Sequence, residues 1–301
     1  MKSILFIINK KSGTDRDKSL DAVIRKGLDA HEYATEISYT QYPGHATELT
    51  LDAVKRNVDV VVAVGGDGSV NEIARGLVHT HTLLGIVPKG SGNGLARALG
   101  LPMNVEECIK IIGAMCIRSI DVGYANDHLF LSNAGVGFDA LIARLFARNE
   151  SRGLFTYARL VIQSMKTYRP KNYVLHVDGT RIEEQAFFVA VANGNQFGYD
   201  FRIAPKAKLD DGMLDICLVR PLKWYHWPWV TVGSFTGTLQ NSAVVRQLQG
   251  QELSIERREP LEWMQVDGEA VRVDRAPIRL GIYPKALSVL APRPQGFQDY
   301  I

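Results

Sequence analysis

The sequence predicts an α/β N-terminal domain over residues 1–120, built on a doubly wound parallel sheet, and a mainly β C-terminal sandwich over residues 121–301. In the first part, short apolar strands alternate with amphipathic helices, which is typical of a parallel sheet covered by helices. After Ile120 the pattern changes to hairpin-like strands separated by turn residues. A chain of 301 residues with 46% hydrophobic residues is long enough for two cores.

The N-terminal domain is predicted from four strands and the helices between them. Its strands are Ile4–Ile8, Tyr33–Tyr39, Val58–Val64 and Leu83–Val87, and its helices begin near Ser19, Gly44, Ser69 or Asn71, Leu95 and Val105. Val58–Val64 is apolar except for Asp59, which favours a strand buried on both faces.

The loop after this strand contains Gly65, Gly66 and Gly68 around Asp67. So many glycines are needed where the backbone turns tightly or another group comes very close. Ser69 or Asn71 could then cap the following helix. A strand, a glycine turn and a helix start present backbone N–H groups to a phosphate, although a tight connection without a ligand is the alternative.

The C-terminal domain is predicted as a hairpin at 121–132, a helical insert at about 139–168 and a series of strands. These strands are 172–177, 180–182, 186–192, 213–219, 252–257, 261–267, 270–274 and 277–290. Val177-Asp178-Gly179 and Val266-Asp267-Gly268 both have the residues of a type I′ hairpin turn.

Several classes of protein are excluded by composition. A net charge of +3 is too small to indicate a nucleic-acid partner, and three cysteines without a Cys-x-x-Cys motif indicate neither a disulfide framework nor a zinc site. No apolar run reaches the ~18 residues of a membrane-spanning helix, and Met1-Lys2-Ser3 leads into a strand without a signal-peptide pattern. We expect a cytoplasmic protein, with peripheral contact at the inner membrane face left open.

The motifs resemble one kinase superfamily. Gly65–Glu72 is similar to the Gly-Gly-Asp-Gly-x-x-Asn-Glu signature of diacylglycerol and sphingosine kinases, whose Gly-Gly-Asp-Gly core also occurs in NAD kinases and phosphofructokinases. Pro88–Arg97 resembles the second lipid-kinase motif, and further loops match in the family's order. The chain is therefore identified as a member of the diacylglycerol kinase-like lipid kinases in their compact bacterial form.

The resemblance implies a binding site for ATP and Mg²⁺. The implied nucleotide contacts are Asn9, Lys10, Lys11, Ser12, Gly13, Thr40, Gly66, Asp67, Gly68, Ser69, Val70, Asn71, Glu72 and Ser91. Asp67 would also order water and magnesium beside the phosphates, where metal ions neutralise charge during transfer.

Two later loops take their roles from the same resemblance. A structural magnesium would be held by the Lys208 carbonyl, the Asp211 carboxylate and the Met213 carbonyl, oxygen ligands that suit this ion. Glu269 would be the base that accepts the proton of the lipid hydroxyl. From the residues alone, a solvated turn is the favoured interpretation of the loop at 208–213, and Glu269 is interpreted as a turn residue.

The acceptor remains open, because Gly94 stands where bacterial diacylglycerol kinases usually have Asp, and the loop is similar to that of long-chain-base kinases. The expected activity is transfer of the γ-phosphate of ATP to the hydroxyl of diacylglycerol or a sphingoid base. The alternatives are an NAD kinase-like enzyme and a non-catalytic nucleotide or lipid sensor. A homodimer is also left open.

Two segments could contact a membrane. Trp224, Trp227 and Trp229 lie within six residues, and the insert Arg152–Lys171 mixes basic with apolar residues. The alternatives are an interdomain core for the aromatic run and a solvated face for the basic insert.

Overall fold

The structure is a computed structural model that describes residues 1–9, 19–149, 154–195, 203–221 and 244–292, and the single positions 233, 238 and 242. Contacts divide the chain into two compact units. The first consists of residues 1–120 with the segment from Lys285, and the second of residues 121–284.

The first unit contains a parallel sheet with helices in the connections. Its elements are β1 (Lys2–Ile8), α1 (Ser19–Gly27), β2 (Tyr33–Tyr39), α2 (His45–Lys55), β3 (Val60–Gly65), α3 (Asp67–Leu77), β4 (Leu83–Pro88), α4 (Gly94–Ala98) and α5 (Val105–Ala114). The strand order is β2-β1-β3-β4, and each neighbouring pair is parallel. This confirms the predicted doubly wound α/β fold.

The two inner strands are buried along their whole length. Every residue of β3 and of β4 is buried, as expected where helices cover both faces of a parallel sheet. The core on one face packs Ile24 of α1 and Ile109 of α5 against Phe6 and Val62 of the sheet. The apolar runs of the sequence therefore correspond to central strands.

Helix α2 forms as predicted, but its large apolar residues do not define its buried face. Ala46, Thr50 and Ala53 are buried, whereas Leu51 is 47% exposed. Small residues face inward because α2 packs closely on α3: a Cβ on Gly76 would lie 2.8 Å from the Thr50 methyl group. Where two helices pack this closely, the size of a side chain as well as its polarity decides whether it can lie between them.

In the residues that the structure describes, the second unit is an antiparallel β sandwich with two helices. Its elements are β5 (Ile117–Ala125), β6 (His128–Phe130), β7 (Asn133–Gly137), α6 (Phe138–Ala147), α7 (Leu154–Met165), β8 (Lys171–Val177), β9 (Thr180–Ala186), β10 (Phe188–Ala192), β11 (Leu214–Val219), β12 (Val245–Gly250), β13 (Glu252–Arg257), β14 (Trp263–Val266), β15 (Glu269–Arg272) and β16 (Ile278–Leu290). One sheet has the order β12-β11-β10-β7-β14-β15, and β16, β13, β8 and β9 follow one another in the other. Side chains from both sheets form a single core, which confirms the predicted sandwich.

Strands β7 and β12 were not predicted from the sequence. Asn133–Gly137 reads Asn-Ala-Gly-Val-Gly, and Val245–Gly250 contains an Arg and two Gln, so neither has an apolar run. β7 is nevertheless central, because it pairs with β10 on one side and β14 on the other. Its glycines fit where neighbouring groups come close: a Cβ on Gly135 would lie 2.0 Å from the Asp139 carboxylate.

The final strand belongs to both units in the contact division. Near its start, β16 pairs with β13 in antiparallel register, and further on Val289 pairs with Leu84 of β4 in parallel register. The sequence assigned all of 277–290 to the second domain. Strand pairing over such a chain distance leaves no local sequence signal.

Cys108, Cys116 and Cys217 are free thiols. In the part of the chain that the structure describes, no helix is both long and apolar enough to cross a bilayer.

Candidate active site

The loops that follow the four parallel strands of the first unit lie at one edge of the sheet. Backbone hydrogen bonds continue just beyond the strands, from Thr40 N to Ile8 O at 3.0 Å, Asn9 N to Val64 O at 3.1 Å and Lys89 N to Gly65 O at 2.8 Å. The predicted nucleotide loops after β1, β2, β3 and β4 therefore start side by side. This carboxyl edge is where open α/β sheets bind ligands.

Helix α3 begins at Asp67, earlier than the sequence indicated. Gly66 is the N-cap residue, in extended conformation, and no side chain caps the helix. The prediction that Ser69 or Asn71 is the cap is wrong, because Gly68, Ser69 and Asn71 already lie inside the helix. The first N–H groups of an α-helix have no partner within the helix, so this end can receive an anion.

The two glycine loops touch each other through their backbones. A Cβ on Gly66 would lie 3.2 Å from the Gly90 Cα, and a Cβ on Gly90 would lie 2.5 Å from the Gly66 Cα. Any side chain at Gly90 would therefore have to push backbone apart. The close approach of two loops is a reason for these glycines that sequence reasoning did not find.

Asp67 joins the same two loops by hydrogen bonds. Its carboxylate accepts the backbone N–H of Asn93 at 2.8 Å and that of Gly94 at 2.6 Å, one on each oxygen. Charge-assisted bonds of this kind are stronger than neutral ones. An ionised carboxylate has about four acceptor positions, so Asp67 keeps capacity for water or a metal ion.

The second glycine loop is also braced by its own side chains. The Asn93 amide accepts from Gly90 N at 3.0 Å and donates to Gly90 O at 2.8 Å, while Arg97 Nε donates to Gly92 O at 3.0 Å. Asn93 has a left-handed backbone, with φ 52°, a conformation that Asn tolerates better than most residues. Asn93 is a site residue that the predicted set omitted, although it lies within the quoted motif.

The other predicted nucleotide residues have different surroundings. Ser69 Oγ accepts from Asn9 Nδ2 at 3.2 Å, which links the first loop to α3. Val70 and Asn71 are buried in α3, and Ser91 is exposed in the second loop. The Glu72 carbonyl accepts from Thr47 of α2 at 2.8 Å. Lys10–Gly13 lie outside the described residues.

In the second unit, Glu269 follows a tight hairpin turn. Val266 pairs with Glu269 across Asp267 and Gly268, whose φ angles are 47° and 84°. Asp178 and Gly179 have similar angles, so both predicted type I′ turns are confirmed. Glu269 is exposed.

Asp267 anchors this turn. Its carboxylate accepts the backbone N–H groups of Leu131 at 2.8 Å, Ser132 at 2.8 Å and Asn133 at 3.0 Å. Below it, the buried Gln265 side chain accepts from Gly268 N at 2.9 Å and donates to Asn133 Oδ1 at 2.6 Å. Glu269 is thus carried on a rigid support.

Asp139, in the first turn of α6, lies under the same hairpin. One carboxylate oxygen accepts from Ala140 N at 2.8 Å, and the other is buried without a hydrogen bond. Burial raises the pKa of Asp139 to about 7, against a smaller lowering by the Ala140 N–H and the Gln265 side chain. Burial, and to a smaller extent the charge of Asp139, raises the pKa of Tyr157, Tyr168 and Tyr173.

The late acidic loop is held by Asp121, at the start of the second unit. Asp121 N donates to Leu209 O at 2.6 Å, and its carboxylate accepts from Gly212 N at 2.7 Å. Asp211 is exposed, and one of its oxygens accepts from Met213 N at 3.1 Å. Sequence reasoning missed Asp121, because its partners are about ninety residues away.

The residues of this loop fit the magnesium that the resemblance implies. Among the described residues no three acidic, His or Cys side chains converge on a metal, but the implied set uses one carboxylate and two backbone carbonyls. Nearby, Asp215 Oδ2 is buried without a hydrogen-bond partner. Burial raises the pKa of Asp215 to about 6, and the charge of Asp211 acts in the same direction. A cation here would offset that concentration of negative charge.

Paired glycine loops at strand ends, next to an uncapped helix N-terminus, define the class: an α/β protein with a site suited to phosphate. Residues 3–125 match the diacylglycerol kinase catalytic domain, and residues 132–291 match the YegS C-terminal NAD kinase beta sandwich-like domain. The chain belongs to the family of diacylglycerol kinases and YegS-like lipid kinases, as the motifs predicted.

Relatives in two bacteria match along nearly the whole chain. A protein of Chromohalobacter salexigens named "Probable lipid kinase YegS-like" is 30% identical, covering 95% of this chain and 92% of its own. The diacylglycerol kinase of Bacillus subtilis is 26% identical, covering 89% and 90%. Membership of this family supports the conclusion that the protein is a lipid kinase.

Solved structures agree on the fold. A diacylglycerol kinase from Bacillus anthracis has a TM-score of 0.76 at 23% identity, with 97% of each chain covered. Yeast NADH kinase has a TM-score of 0.54 at 11% identity, covering 97% of this chain and 84% of its own. The fold is thus shared with NAD kinase-like enzymes, as predicted.

Replacing Gly90 by Ala should weaken ATP binding. The new Cβ would meet the Gly66 backbone at 2.5 Å, so the two loops must separate, with overpacking costing about 1–3 kcal/mol. Isothermal titration calorimetry on the folded variant measures the loss. Gly113→Ala is the control, because its Cβ meets only the end of the Leu28 side chain at 3.3 Å. Equal ATP affinity in both variants would contradict the role of the contact.

Asp139→Asn should change how stability depends on pH. With a folded pKa near 7 and an ordinary value of 3.8, wild-type Asp139 favours the folded state at low pH. That contribution disappears as pH rises from about 4 to 7. At pH 8 the Asn variant should be more stable, by up to about 4 kcal/mol. Urea unfolding across this range tests it, and parallel curves for the two proteins would refute it.

Asp211→Ala should remove any stabilisation by magnesium. An ion that binds only the folded state raises the melting temperature by mass action. We expect wild type to melt at a higher temperature with added Mg²⁺, and the variant to be indifferent. Asp210→Ala, on the neighbouring exposed residue, is the control. If wild type is itself indifferent to magnesium, the loop is only a turn.

Proposed function

We propose that the protein is an ATP- and Mg²⁺-dependent kinase that transfers the γ-phosphate of ATP to the hydroxyl of a lipid. Family membership carries the proposal, since it establishes a kinase of the lipid-kinase type. The geometry of the first unit supports it, because no side chain caps the first N–H groups of α3.

ATP is proposed to bind at the carboxyl edge of the parallel sheet. Its phosphates would meet the N–H groups at the start of α3, where the helix dipole favours negative charge. The contact between Gly66 and Gly90 holds the two loops together, and Asp67 fixes the second loop through Asn93 and Gly94. Thr40 and Ser91 add hydroxyl groups.

Magnesium fits two places in this proposal. Asp67 would hold water and the ion near the phosphates, and Lys208, Asp211 and Met213 would hold a structural ion. The ion supplies neutralisation of the charge on the transferred group. The residues of the chain supply orientation, because phosphoryl transfer depends mainly on positioning.

Glu269 is proposed to accept the proton of the attacking hydroxyl. The support for this role is an exposed carboxylate on a hairpin whose turn is fixed by Asp267 and Gln265. A base contributes most when its position is restrained before reaction. The hydrogen bonds of Asp267 and Gln265 therefore give Glu269 the restrained position that a base needs.

The acceptor is proposed to be diacylglycerol or a sphingoid base. Gly94 carries no carboxylate, and its N–H is bonded to Asp67. An NAD kinase-like activity remains the competing function on the shared fold, and family membership favours the lipid.

Phosphate transfer from labelled ATP should identify the acceptor. The panel is diacylglycerol, monoacylglycerol, sphingosine, ceramide and NAD, with the lipids in mixed micelles and with Mg²⁺ or EDTA. We expect label in one lipid class, dependent on magnesium. Label in NAD alone would overturn the lipid assignment, and ATP binding without transfer to any acceptor would indicate a sensor.

Glu269→Gln should lower kcat by roughly 10²–10⁴-fold while ATP binding is unchanged, because the amide cannot accept the proton. Glu183→Gln is the matched control: Glu183 is an exposed residue on the strand that follows the other type I′ turn. Steady-state kinetics with the identified lipid measure both. Wild-type turnover in the Glu269 variant would exclude this residue as the base.

A further inference from the structure

The hairpin that carries Glu269 is connected to a buried side-chain amide. The turn before Glu269 contains Gly268, whose backbone N–H donates to the side-chain oxygen of Gln265 at 2.9 Å. The nitrogen of the same side chain donates to Asn133 Oδ1 at 2.6 Å. Gln265 is only 4% exposed, so water does not compete for these hydrogen bonds. The orientation of this one amide therefore helps to fix the turn.

The carboxyl group of Asp139 lies beside this amide, over the neighbouring strand. Gly135 of β7 pairs directly with Gln265 of β14, and a Cβ on Gly135 would lie 2.0 Å from Asp139 Oδ2. The carboxyl group therefore occupies the place that a side chain at position 135 would take. Burial raises the pKa of Asp139, and the Gln265 side chain partly offsets this, as a hydrogen-bond donor to a carboxylate does. Asp139, Gln265 and the Gly268 N–H thus form one connected series.

The start of helix α6 explains only one of the two oxygens of Asp139. Oδ1 accepts from Ala140 N at 2.8 Å, in the first turn of the helix, where negative charge is favoured. Oδ2 is buried and has no hydrogen-bond partner among the described residues. A buried polar atom without a partner lowers the stability of the folded state. Stability alone therefore does not account for a carboxyl group at this place.

Asp139 and Glu269 have opposite surroundings, which separates their roles. Glu269 is exposed, whereas the second oxygen of Asp139 is buried under the hairpin. A group that accepts a proton from a substrate must approach it to about 3 Å, or reach it through one water. Asp139 is therefore suited to act on Glu269 through the intervening side chain, and not on a substrate directly.

We propose that Asp139 is a positioning residue for Glu269, and that it acts by fixing the orientation of the Gln265 amide. With the nitrogen of Gln265 held toward Asp139 and Asn133, the oxygen of the amide is left to accept from Gly268 N. The effect on turnover rests on the proposed role of Glu269 as the base, whereas the effect on the turn does not.

Amide hydrogen exchange measures the turn directly, without any substrate. Asp139→Ala and Gln265→Met should each raise the exchange rate of the Gly268 N–H by roughly tenfold, because its acceptor is displaced or lost. The control is the Glu252 N–H, which donates to Asp178 beside the other type I′ turn at 2.9 Å and should exchange as in wild type. Unchanged exchange of Gly268 in both variants would overturn the proposal.

Steady-state kinetics with diacylglycerol and with sphingosine in mixed micelles show whether the turn matters for transfer. Asp139→Ala should lower kcat by roughly 10–100-fold and leave KM for ATP nearly unchanged, because a displaced base affects the chemical step. Asp139→Asn keeps the shape and an oxygen acceptor, so it should restore most of the lost turnover. Should Asp139→Ala not fold, Gln265→Met decides by the same two measurements.

Thr82→Ala is the control for a general loss of stability. The buried Thr82 hydroxyl donates to Val58 O at 2.9 Å, just before β4 and at the opposite end of that strand from the nucleotide loops. Its loss should lower the melting temperature and leave kcat as in wild type. Wild-type kcat in both Asp139→Ala and Gln265→Met would overturn the proposal.

Combination with Glu269→Gln identifies the route of the effect. If Asp139 acts through Glu269, Asp139→Ala should reduce kcat little further in a Glu269→Gln background, since residues that act as a unit are not additive. Equal fold losses in both backgrounds would overturn the proposal. Wild-type kcat in Glu269→Gln alone would overturn the proposed base and this proposal together, whereas a loss in Glu269→Gln but not in Asp139→Ala would overturn this proposal alone.

Discussion

The arrangement of the candidate nucleotide site depends on one carboxylate. Asp67 stands at the first position of α3 and bonds to the backbone of Asn93 and Gly94 in another loop. Without this link, the contact between Gly66 and Gly90 would be held by loop backbone alone. Both bonds run to N–H groups of the second loop, so the carboxylate holds that loop beside the start of α3.

In the second unit, too, Asp carboxylates hold loops in place by accepting hydrogen bonds from backbone N–H groups. The Asp267 carboxylate accepts hydrogen bonds from three backbone N–H groups. The carboxylates of Asp121 and Asp178 likewise accept hydrogen bonds from backbone N–H groups. A short carboxylate that bonds to main chain positions a turn without depending on neighbouring side chains. Glu269 can then be exposed and still have a defined location, which a long, solvated side chain would not have on a loose loop.

Two buried carboxylates of the second unit lower the stability of the folded state when they are ionised. Asp139 and Asp215 each have a carboxylate oxygen that is buried without a hydrogen bond, and both pKa values are raised by burial. Such groups destabilise the folded state when ionised. They lie under the Glu269 hairpin and beside the late acidic loop, the two parts of the second unit to which the resemblance assigns chemistry.

By itself, the sequence determined the fold class, the parallel strands and the two type I′ turns, because apolar periodicity and Asp-Gly pairs are local signals. It also identified the family, because the two glycine loops and the later loops carry that family's motifs in order. Only the tertiary structure decided that Gly66 is the cap of α3, that Asp67 binds the second loop, and that the glycine-rich β7 lies in the middle of a sheet. Likewise, only it showed that Phe155 and Ile162 face outward. These features depend on which distant segments meet, and no short stretch of residues records its partner.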